Sequence, residues 1–362
     1  MSESTATNSA SSLSACPLPA SRYDRVVLGH GSGGMLSADL IQRLFLPAFQ
    51  NDVLAALEDQ AIVRIECDDG RRAPRIAITT DAFVVRPIFF PGGDIGTLAV
   101  CGTVNDLAVG GARPLYLAAA FILEEGLALA DLERIARSMR SACDQAGVTL
   151  VTGDTKVVDH GKGDQVFITT TGVGIVPDDR TLSITSARPG DRVVVSGTIG
   201  DHGIAIMSVR EGIEFETVLE SDCASLNDLV ETMLAACPGI RAMRDPTRGG
   251  LSSALNELAV ASRVGVRLDE AAIPVRREVR AACEMLGLDP LYVANEGKLM
   301  AVVPYADADR LVAAMRTHPL GQSAVVVGTI TAEHPGMVVL DSLVGGDRLV
   351  PLLSGEQLPR IC

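Results

Sequence analysis

The sequence has no tryptophan, and aromatic residues make up only 3% of its 362 residues. The hydrophobic 47% is therefore mainly alanine, valine, leucine and isoleucine, which is typical of layered α/β proteins. Long apolar runs are also missing. The longest, Leu115 to Leu123, has about half the length that a membrane-spanning helix needs, so no membrane segment is expected.

Acidic residues outnumber basic residues in the sequence. Lysine and arginine total 31 against 45 acidic residues, which gives a formal net charge of −14. Nucleic acids and anionic membrane surfaces both require basic patches, so neither is expected as the main partner. An acidic enzyme can still bind ATP where backbone amides, a lysine and Mg²⁺ supply positive charge locally.

The eight cysteines form neither a CxxC pair nor a Cys/His cluster, which argues against a disulfide framework or a structural zinc site. Most are interpreted as small buried side chains in a reducing cytosol. Residues 1–22 are serine-rich and lack the basic and apolar regions of a signal peptide. A disordered N-terminal extension and a cytoplasmic location are therefore expected.

Cys362 is the exception, because it is the last residue of the sequence. It follows a stretch that contains Pro351, Gly355 and Pro359, residues typical of turns and irregular segments. The pattern predicts a mobile tail over residues 351–362 that carries an exposed thiol. Its pKa is expected near the ordinary value of about 8.5.

Two α/β domains are predicted, because the length favours two cores and apolar strands alternate with periodic helices. A polar stretch from Pro177 to Asp191 separates the predicted domains, which span residues 23–178 and 188–345. Strands are predicted at residues 62–67, 75–80, 115–123, 148–152, 166–173, 192–197, 299–303 and 324–330. Helices are predicted at residues 36–49, 97–110, 131–146, 204–211, 225–236, 249–262 and 306–317.

A glycine-rich loop, HGSGG at residues 30–34, precedes the first predicted helix. Backbone amides at Gly33 and Gly34 can approach phosphate oxygens closely, since glycine adopts conformations that other residues avoid. The loop is neither a Walker A motif nor a dinucleotide fingerprint. A structural turn is an equally good interpretation.

Aspartates recur at the ends of predicted elements: Asp59, Asp81, Asp106, Asp154 and Asp245. Oxygen ligands from several loops suit Mg²⁺ bound together with nucleotide phosphates. Each aspartate alone is more readily interpreted as a helix or turn cap, or as a solvated helix position. Their glycine- and lysine-rich flanks favour the metal hypothesis for the group.

Lys156 is predicted at the end of a strand beside Asp154, where a catalytic amine can point into a cleft. Glu296 directly precedes another strand. A surface ion pair is the alternative for either residue. His160 and His202 lie in glycine-flanked segments, where contact with substrate is possible and simple exposure is the default expectation.

Several strings together resemble the HypE family of hydrogenase maturation factors, in the superfamily typified by aminoimidazole ribonucleotide synthetase. The resemblance runs in order through nearly the whole chain, and the terminal PRIC separates this family from its relatives. The strings are HGSGG (30–34), TTD (79–81), FFPGGDIG…CGTVNDLAVGG (89–111), GDTKVV (153–158), RPGDRVVVSGTIGDHG (188–203), RDPTRGG (244–250), NEG (295–297) and PRIC (359–362).

The resemblance implies an α/β (α+β) fold of two domains with a flexible C-terminal tail. It implies an N-terminal domain that forms a homodimer through a shared β-barrel, and a C-terminal α/β domain. It also implies that ATP and Mg²⁺ bind in the cleft between the domains, close to the dimer interface.

The implied reaction begins when a partner carbamoyltransferase modifies Cys362. ATP-dependent dehydration then converts the S-carbamoyl group to a thiocyanate, with Lys156 polarising the reacting group and Glu296 taking the amide proton. An iron-carrying maturation complex accepts the cyanide for [NiFe]-hydrogenase. The implied ATP contacts are Gly33, Gly34, Asp81, Asn105, Asp106, Asp154 and Thr155. The implied Mg²⁺ ligands are Asp59, Asp81, Asp106 and Asp245.

Two alternatives remain open at this point. One is a synthetase or kinase of the same superfamily that acts on a free small molecule. Selenophosphate synthesis would need a reactive N-terminal cysteine with a nearby lysine, and Cys16 has none because the first lysine is Lys156. The other is a non-enzymatic carrier that presents Cys362 to partners.

Overall fold

The computed structural model describes residues 24–49, 51–65, 74–213, 219–354 and 361–362. Two mixed sheets dominate it, and each carries its helices as covering layers. None of the described helices combines the length and apolar character needed to cross a membrane.

The N-terminal half is built on a five-stranded sheet in the order β1-β2-β7-β5-β6, beside the small ribbon β3-β4. Only β5 and β6 are parallel. Within the described residues this sheet is open, with β6 at one edge, and it does not close into a barrel. The strands are β1 (Ala61–Arg64), β2 (Arg75–Phe83), β3 (Phe89–Phe90), β4 (Gly93–Asp94), β5 (Arg113–Glu124), β6 (Thr149–Val158) and β7 (Val166–Val176).

Helix α3 packs against β2 and β7 on one side and against the C-terminal half on the other. It is consequently buried around almost its whole circumference. Asp94 caps it by accepting hydrogen bonds from Gly96 N and Thr97 N. The helices of this half are α1 (Met35–Leu40), α2 (Leu46–Ala48), α3 (Ile95–Val109) and α4 (Leu129–Ala146), with a π-helical turn (Ile41–Phe45) joining the first two.

The C-terminal half has a seven-stranded sheet in the order β14-β13-β10-β12-β8-β11-β9. Its strands are β8 (Arg192–Val195), β9 (Ala242–Arg244), β10 (Gly265–Asp269), β11 (Met300–Val303), β12 (Val325–Thr331), β13 (Val338–Asp341) and β14 (Asp347–Leu349). Its helices are α5 (Asp201–Glu211), α6 (Asn227–Ala236), α7 (Gly250–Ser262), α8 (Arg277–Leu286) and α9 (Ala308–Arg316).

Most predicted elements are present within a few residues of the expected bounds. Two differences affect the site: β2 continues through Asp81, and β6 runs to Val158, so Lys156 lies inside a strand rather than at its end. The second sheet also continues past residue 345, through β14. The predicted turn at residues 68–71 and the N-terminal extension lie outside the described residues. The exact domain bounds stay predictions.

The end of the chain differs most from expectation. Ile361 and Cys362 are buried within the N-terminal hydrophobic core, although a terminal cysteine was expected to be exposed. Residues 351–354 are described, and residues 355–360 lie outside the described part of the chain. Mobility of the tail as a whole therefore stays a prediction.

Candidate active site

Three aspartates from distant parts of the chain form the centre of the candidate site. Asp59 precedes β1, Asp106 lies on α3, and Asp245 follows β9. One carboxylate oxygen from each lies within 4.8 Å of the others. This set of oxygen donors suits a hard divalent cation, so the residues fit Mg²⁺. The capping alternative for Asp245 is wrong, because α7 begins after Gly249 and has no side-chain cap.

Burial and mutual repulsion raise the pKa values of these carboxyl groups. For Asp59 and Asp106, burial is the largest cause and neighbouring acids add to it, so each pKa lies well above its ordinary value. Burial likewise raises the pKa of Asp245 to about 6. A bound cation would offset the repulsion and compete with the protons, which is the behaviour of a metal site.

Neighbouring side chains fix the orientation of the cluster. Arg244 Nη1 lies 2.6 Å from Asp59 Oδ1, and Arg244 also pairs with Glu257. The Thr79 hydroxyl donates to Asp106 Oδ2 at 2.7 Å. The solvated position considered for Asp106 is therefore wrong, since its carboxylate has a fixed partner in the core of the site.

Asp81 and Arg248 extend the cluster towards the end of the chain. Burial raises the pKa of Asp81, while hydrogen bonds with Asp106 and Thr103 and the charge of Arg248 oppose that rise. The negative charge of Cys362 is the largest cause that raises the pKa of the Arg248 guanidinium, and the charges of Asp81 and Glu296 raise it further. Arg248 is thus the cation next to the terminal residue.

A small cavity joins the acidic cluster to the last residue of the chain. Strand β2 and helix α3 form its N-terminal side, and loops that follow β9 and precede β11 form its C-terminal side. Its lining residues are Asp81, Ala82, Phe83, Gly102, Asp106, Asp245, Thr247, Arg248, Glu296 and Cys362.

Glu296 is buried in this cavity, so the alternative of a surface ion pair is wrong. Its exposed fraction is 2%, and its Oε1 atom has no hydrogen-bond partner among the described residues. Its backbone N–H donates to Asp222 Oδ1 at 3.0 Å. Burial is the main cause that raises its pKa well above the ordinary value, followed by Asp245 and Asp222. A fixed, buried carboxyl of this kind is a candidate acid–base group.

Cys362 lies against Glu296 with only 9% of its surface exposed. Burial raises the pKa of its thiol to about 12. The expectation of an exposed thiol with a pKa near 8.5 is therefore wrong for this conformation. A thiol with so high a pKa is a weak nucleophile at neutral pH, so the docked tail suits a modified sulfur better than a reacting one.

Asn105 connects the two halves of the molecule. Its Nδ2 donates to the backbone oxygens of Ala224 and Glu296, each at 3.1 Å, and its Oδ1 accepts from Leu226 N at 2.8 Å. These contacts explain its burial and hold the loop that presents Glu296. A contact between Asn105 and a nucleotide stays a prediction.

Gly33 and Gly34 pack against the C-terminal half. A Cβ atom at Gly33, whose φ is +73°, would lie 2.8 Å from Arg248 O. A Cβ atom at Gly34 would lie 2.3 Å from the carbonyl oxygen of Leu353. Close backbone approach thus requires both glycines, and their contact with phosphates stays a prediction.

Asp154, Thr155 and Lys156 lie apart from the cavity lining. They occupy the edge strand β6, and the Lys156 side chain is 73% exposed. Its Nζ is 3.2 Å from Asp154 Oδ2, and a backbone hydrogen bond from Thr155, with a smaller contribution from Lys156, lowers the pKa of Asp154. Within one chain, the structure does not bring the predicted catalytic lysine to Glu296.

The two histidines differ. His160 is exposed as expected, whereas His202 is fully buried as the second residue of α5, so its expected exposure is wrong. Sequence reasoning also gave no role to Arg244 or Arg248. Both flank Asp245 in the string RDPTRGG, so the motif itself was the available signal.

Both halves of the chain match family models. Residues 57–176 match the N-terminal domain of AIR synthase related proteins, and residues 188–341 match the C-terminal domain. The fold and the cleft between its halves therefore define a two-domain protein of the AIR synthase related class.

Individual proteins with high sequence identity show which family within this class the chain belongs to. The chain is 57% identical over 338 residues to a carbamoyl dehydratase HypE of Cupriavidus necator, which covers 93% of the chain and 95% of that protein. A crystal structure of a HypE–HypF complex matches with a TM-score of 0.80 at 44% identity, covering 87% of this chain and 99% of the other. A HypE crystal structure in complex with ATP matches with a TM-score of 0.77 at 47% identity, covering 93% and 100%. The chain belongs to the HypE family of carbamoyl dehydratases.

Proposed function

We propose that the protein is an ATP-dependent dehydratase that converts an S-carbamoyl group on its own Cys362 to a thiocyanate. The observation that carries this proposal is the position of Cys362 in one cavity with Glu296, Arg248 and three aspartates, Asp81, Asp106 and Asp245. The names of the relatives and the ATP complex of a HypE support the same chemistry. The thiocyanate would supply the cyanide ligand of the iron in [NiFe]-hydrogenase.

The reaction solves the problem that an amide oxygen is a poor leaving group. The carbamoyl oxygen attacks the γ-phosphorus of ATP, the bond to ADP breaks, and an O-phosphorylated imidate remains on sulfur. Loss of the nitrogen-bound protons and of phosphate leaves S–C≡N. Overall, one ATP becomes ADP and phosphate while the S-carbamoyl group loses the elements of water.

Residues of the cavity account for the charge and proton movements. Glu296 lies against Cys362, where its carboxylate can accept a proton from the carbamoyl nitrogen. Arg248 provides a cation for the transferring phosphoryl group. Mg²⁺, held by Asp59, Asp106 and Asp245 with Asp81 beside them, would neutralise phosphate charge. A cation next to Asp245 would also lower the pKa of Glu296, since Asp245 is among the groups that raise it.

A second copy of the chain would complete the site. Strand β6 is a long edge strand whose Leu150, Val151 and Val157 are exposed, and such edges are normally covered. We infer a homodimer in which β6 of one copy extends or faces the sheet of the other, as the resemblance to the family implies. Lys156, with Asp154 and Thr155, would then reach the nucleotide in the partner's cavity.

The remaining nucleotide contacts are part of the same proposal. Gly33, Gly34, Asp81, Asn105 and Asp106 surround or support the cleft from the N-terminal half. The solved complex of a HypE with HypF supports a protein partner, to which we assign the carbamoyl transfer to Cys362. An iron-carrying maturation complex would accept the cyanide. A cytoplasmic location stays a prediction.

The alternative functions have less support. A thiamine monophosphate kinase structure from Aquifex aeolicus matches with a TM-score of 0.61 at 21% identity, which shows a shared fold alone. Such kinases act on free small molecules and give no reason for burying a terminal cysteine beside Glu296. A carrier without ATP turnover gives no reason for the buried acidic cluster.

Intact-mass spectrometry of the full chain tests the proposal. The chain is carbamoylated on Cys362 by the partner transferase and then incubated with and without Mg·ATP. The proposal predicts that the modified chain loses one water only when ATP is present, and that Cys362→Ser accepts no carbamoyl group. Persistence of the adduct with ATP would contradict the dehydratase and favour a small-molecule substrate.

A further inference from the structure

The last two residues are held at defined points rather than merely packed. The backbone N–H of Val84 donates to a terminal oxygen of Cys362 at 3.3 Å. Ile361 is 3% exposed within the N-terminal core. The carbonyl oxygen of Ile361 lies 2.7 Å from Nε2 of His202. A residue 159 positions earlier in the chain therefore contacts the backbone directly before the reacting sulfur.

The contacts of His202 determine which nitrogen carries the proton. Because a carbonyl oxygen only accepts hydrogen bonds, Nε2 must donate to Ile361. Nδ1 then accepts from the Ser221 hydroxyl at 2.8 Å, and the Ser221 oxygen accepts from Cys223 N at 3.1 Å. The ring of Phe90 closes one side of the imidazole, with ring centres 5.6 Å apart. Both ring nitrogens are thus used, and the ring is neutral because burial lowers the pKa of His202.

The segment that bears His202 is tied to the loop that bears Glu296. Gly200, directly before α5, donates its N–H to Asn295 Oδ1 at 2.7 Å. Gly203 N donates to the carbonyl of Ala294 at 3.1 Å. These two bonds fix the start of α5 against residues 294–296. The distance from the Ile361 carbonyl to the Glu296 carboxyl is therefore set by one connected unit.

We propose that His202 is the latch of the tail, a positioning residue that holds the Ile361 carbonyl so that Cys362 lies beside Glu296. The latch separates two stages: modification of Cys362 requires the tail to leave the cavity, and dehydration requires it to return. This stage assignment rests on the proposed function. The contact between His202 and the tail does not depend on it.

The latch is tested by the reactivity of Cys362 towards iodoacetamide in the full-length protein, without ATP or a partner. Only an undocked tail presents a thiol of ordinary pKa, so the alkylation rate reports the undocked fraction. His202→Phe keeps an aromatic ring and removes the donor, whereas His202→Gln keeps an N–H donor of similar reach. Peptide mapping by mass spectrometry gives the rate at Cys362, with buried Cys237 and Cys283 as internal references.

We expect His202→Phe to alkylate Cys362 about tenfold faster than the wild type, since a hydrogen bond to a buried carbonyl is lost. In His202→Gln, the alkylation rate of Cys362 should return most of the way to the wild-type rate. The alkylation rates of Cys237 and Cys283 should be the same in all three proteins. An unchanged rate in His202→Phe, or equally fast rates in the Phe and Gln variants, would overturn the latch. Should His202→Phe not fold, Ser221→Ala takes its place, with a smaller increase expected and an unchanged rate as the contradicting result.

A second measurement separates positioning from a general structural role. In carbamoylation followed by Mg·ATP addition, His202→Phe should load Cys362 faster and dehydrate it more slowly, whereas a merely loosened fold would slow both steps. Slowing of both steps by His202→Phe with no recovery in His202→Gln would overturn the proposal. If the chain accepts no carbamoyl group at all, the proposed function fails, while the alkylation comparison still decides whether His202 holds the tail.

Discussion

The side chains around the Cys362 cavity find their partners within a single chain, whereas those on the edge strand β6 are largely exposed. In the cavity, carboxyl groups from both halves are buried, oriented by neighbours and shifted in pKa. On β6, Lys156 has one neighbour of opposite charge and is mostly exposed. Residues that belong to one family pattern therefore need not meet within one chain. If this contrast holds, substitutions in the cavity and on β6 should act in different ways.

The buried carboxyl of Glu296 should have the largest effect on the chemical step. Glu296→Gln removes the proposed base, so single-turnover dehydration should slow by about 10²- to 10⁴-fold while carbamoylation persists. The rate should also rise with pH, because the ionised form is required. Burial is the main cause that raises the pKa of Glu296, and bound Mg²⁺ would offset only the contribution of neighbouring acids, so the midpoint should lie above the ordinary value of about 4.3.

The control for this variant is Glu125→Gln, which alters an exposed carboxyl and should leave the rate unchanged. Dehydration at the wild-type rate in Glu296→Gln, followed by intact mass, would contradict the assignment. A midpoint at or below the ordinary glutamate value would show that the titrating group is a different one.

Lys156 should affect activity without affecting the fold of one chain. Lys156→Ala should slow dehydration by about 10²-fold or more, as expected when a cation that stabilises developing charge is removed. The free energy of unfolding of this variant should stay within about 0.5 kcal/mol of the wild-type value, because the Lys156 side chain is mostly exposed. Lys162→Ala, in the exposed loop after β6, is the matched control. Equal rates in the two variants would place β6 outside the site.

The glycine loop should affect the cavity through packing. A Cβ atom in Gly34→Ala would lie 2.3 Å from Leu353 O, whereas a Cβ atom in Gly31→Ala has no atom within 4 Å. We expect Gly34→Ala to lower the free energy of unfolding by about 1–3 kcal/mol and to expose Cys362 to alkylation. Gly31→Ala should behave as the wild type in denaturant titration. Equal stability of the two variants would contradict the close contact.

Removal of the Asp245 carboxyl should stabilise the protein at neutral pH when no metal is bound. Because the folded pKa of Asp245 is about 6 and its unfolded value is about 3.8, the folded state holds the proton more tightly. The contribution of Asp245 to stability is therefore fully present below about pH 4 and falls by about 3 kcal/mol as pH rises through 6. Asp245→Asn should lose less over this range and should gain little from Mg²⁺.

Denaturant titrations at pH 4.5 and 7, with chelator or Mg²⁺, measure this effect. Asp179→Asn alters an exposed carboxyl and serves as the control. A variant at Asp245 that loses stability with pH as steeply as the wild type would show that another group causes the dependence.

Much of the fold follows from local patterns. Helix α4 was predicted because Leu132, Ile135, Met139 and Cys143 recur at three- and four-residue spacing, and the structure buries the last three. Helix α8 has the same kind of pattern, with buried Val279, Ala282 and Cys283, but its many charges obscured it. Strands β10, β13 and β14 were missed because they are short and the charged residues Arg267, Asp341 and Asp347 interrupt their apolar patterns.

The site was predictable in part. Asp59, Asp106 and Asp245 were singled out among the acids near the ends of predicted elements, and the structure brings them together. His202, which contacts the buried end of the chain at Ile361, is distant from it in sequence and carries no periodic signal. The separation of Lys156 from Glu296 follows from the place of β6 in the sheet, which strand propensity does not encode.

A mixing experiment tests most directly whether the edge strand of one copy completes the cavity of another. Lys156→Ala and Glu296→Gln proteins, each inactive in dehydration, are combined under conditions that exchange subunits. In a shared-site dimer, the mixed species contains one intact cavity, so about a quarter of wild-type activity should return. Recovery at that level would support the account. No recovery, with exchange shown by native mass spectrometry, would contradict it and place Lys156 and Glu296 in the same chain's site or in separate ones.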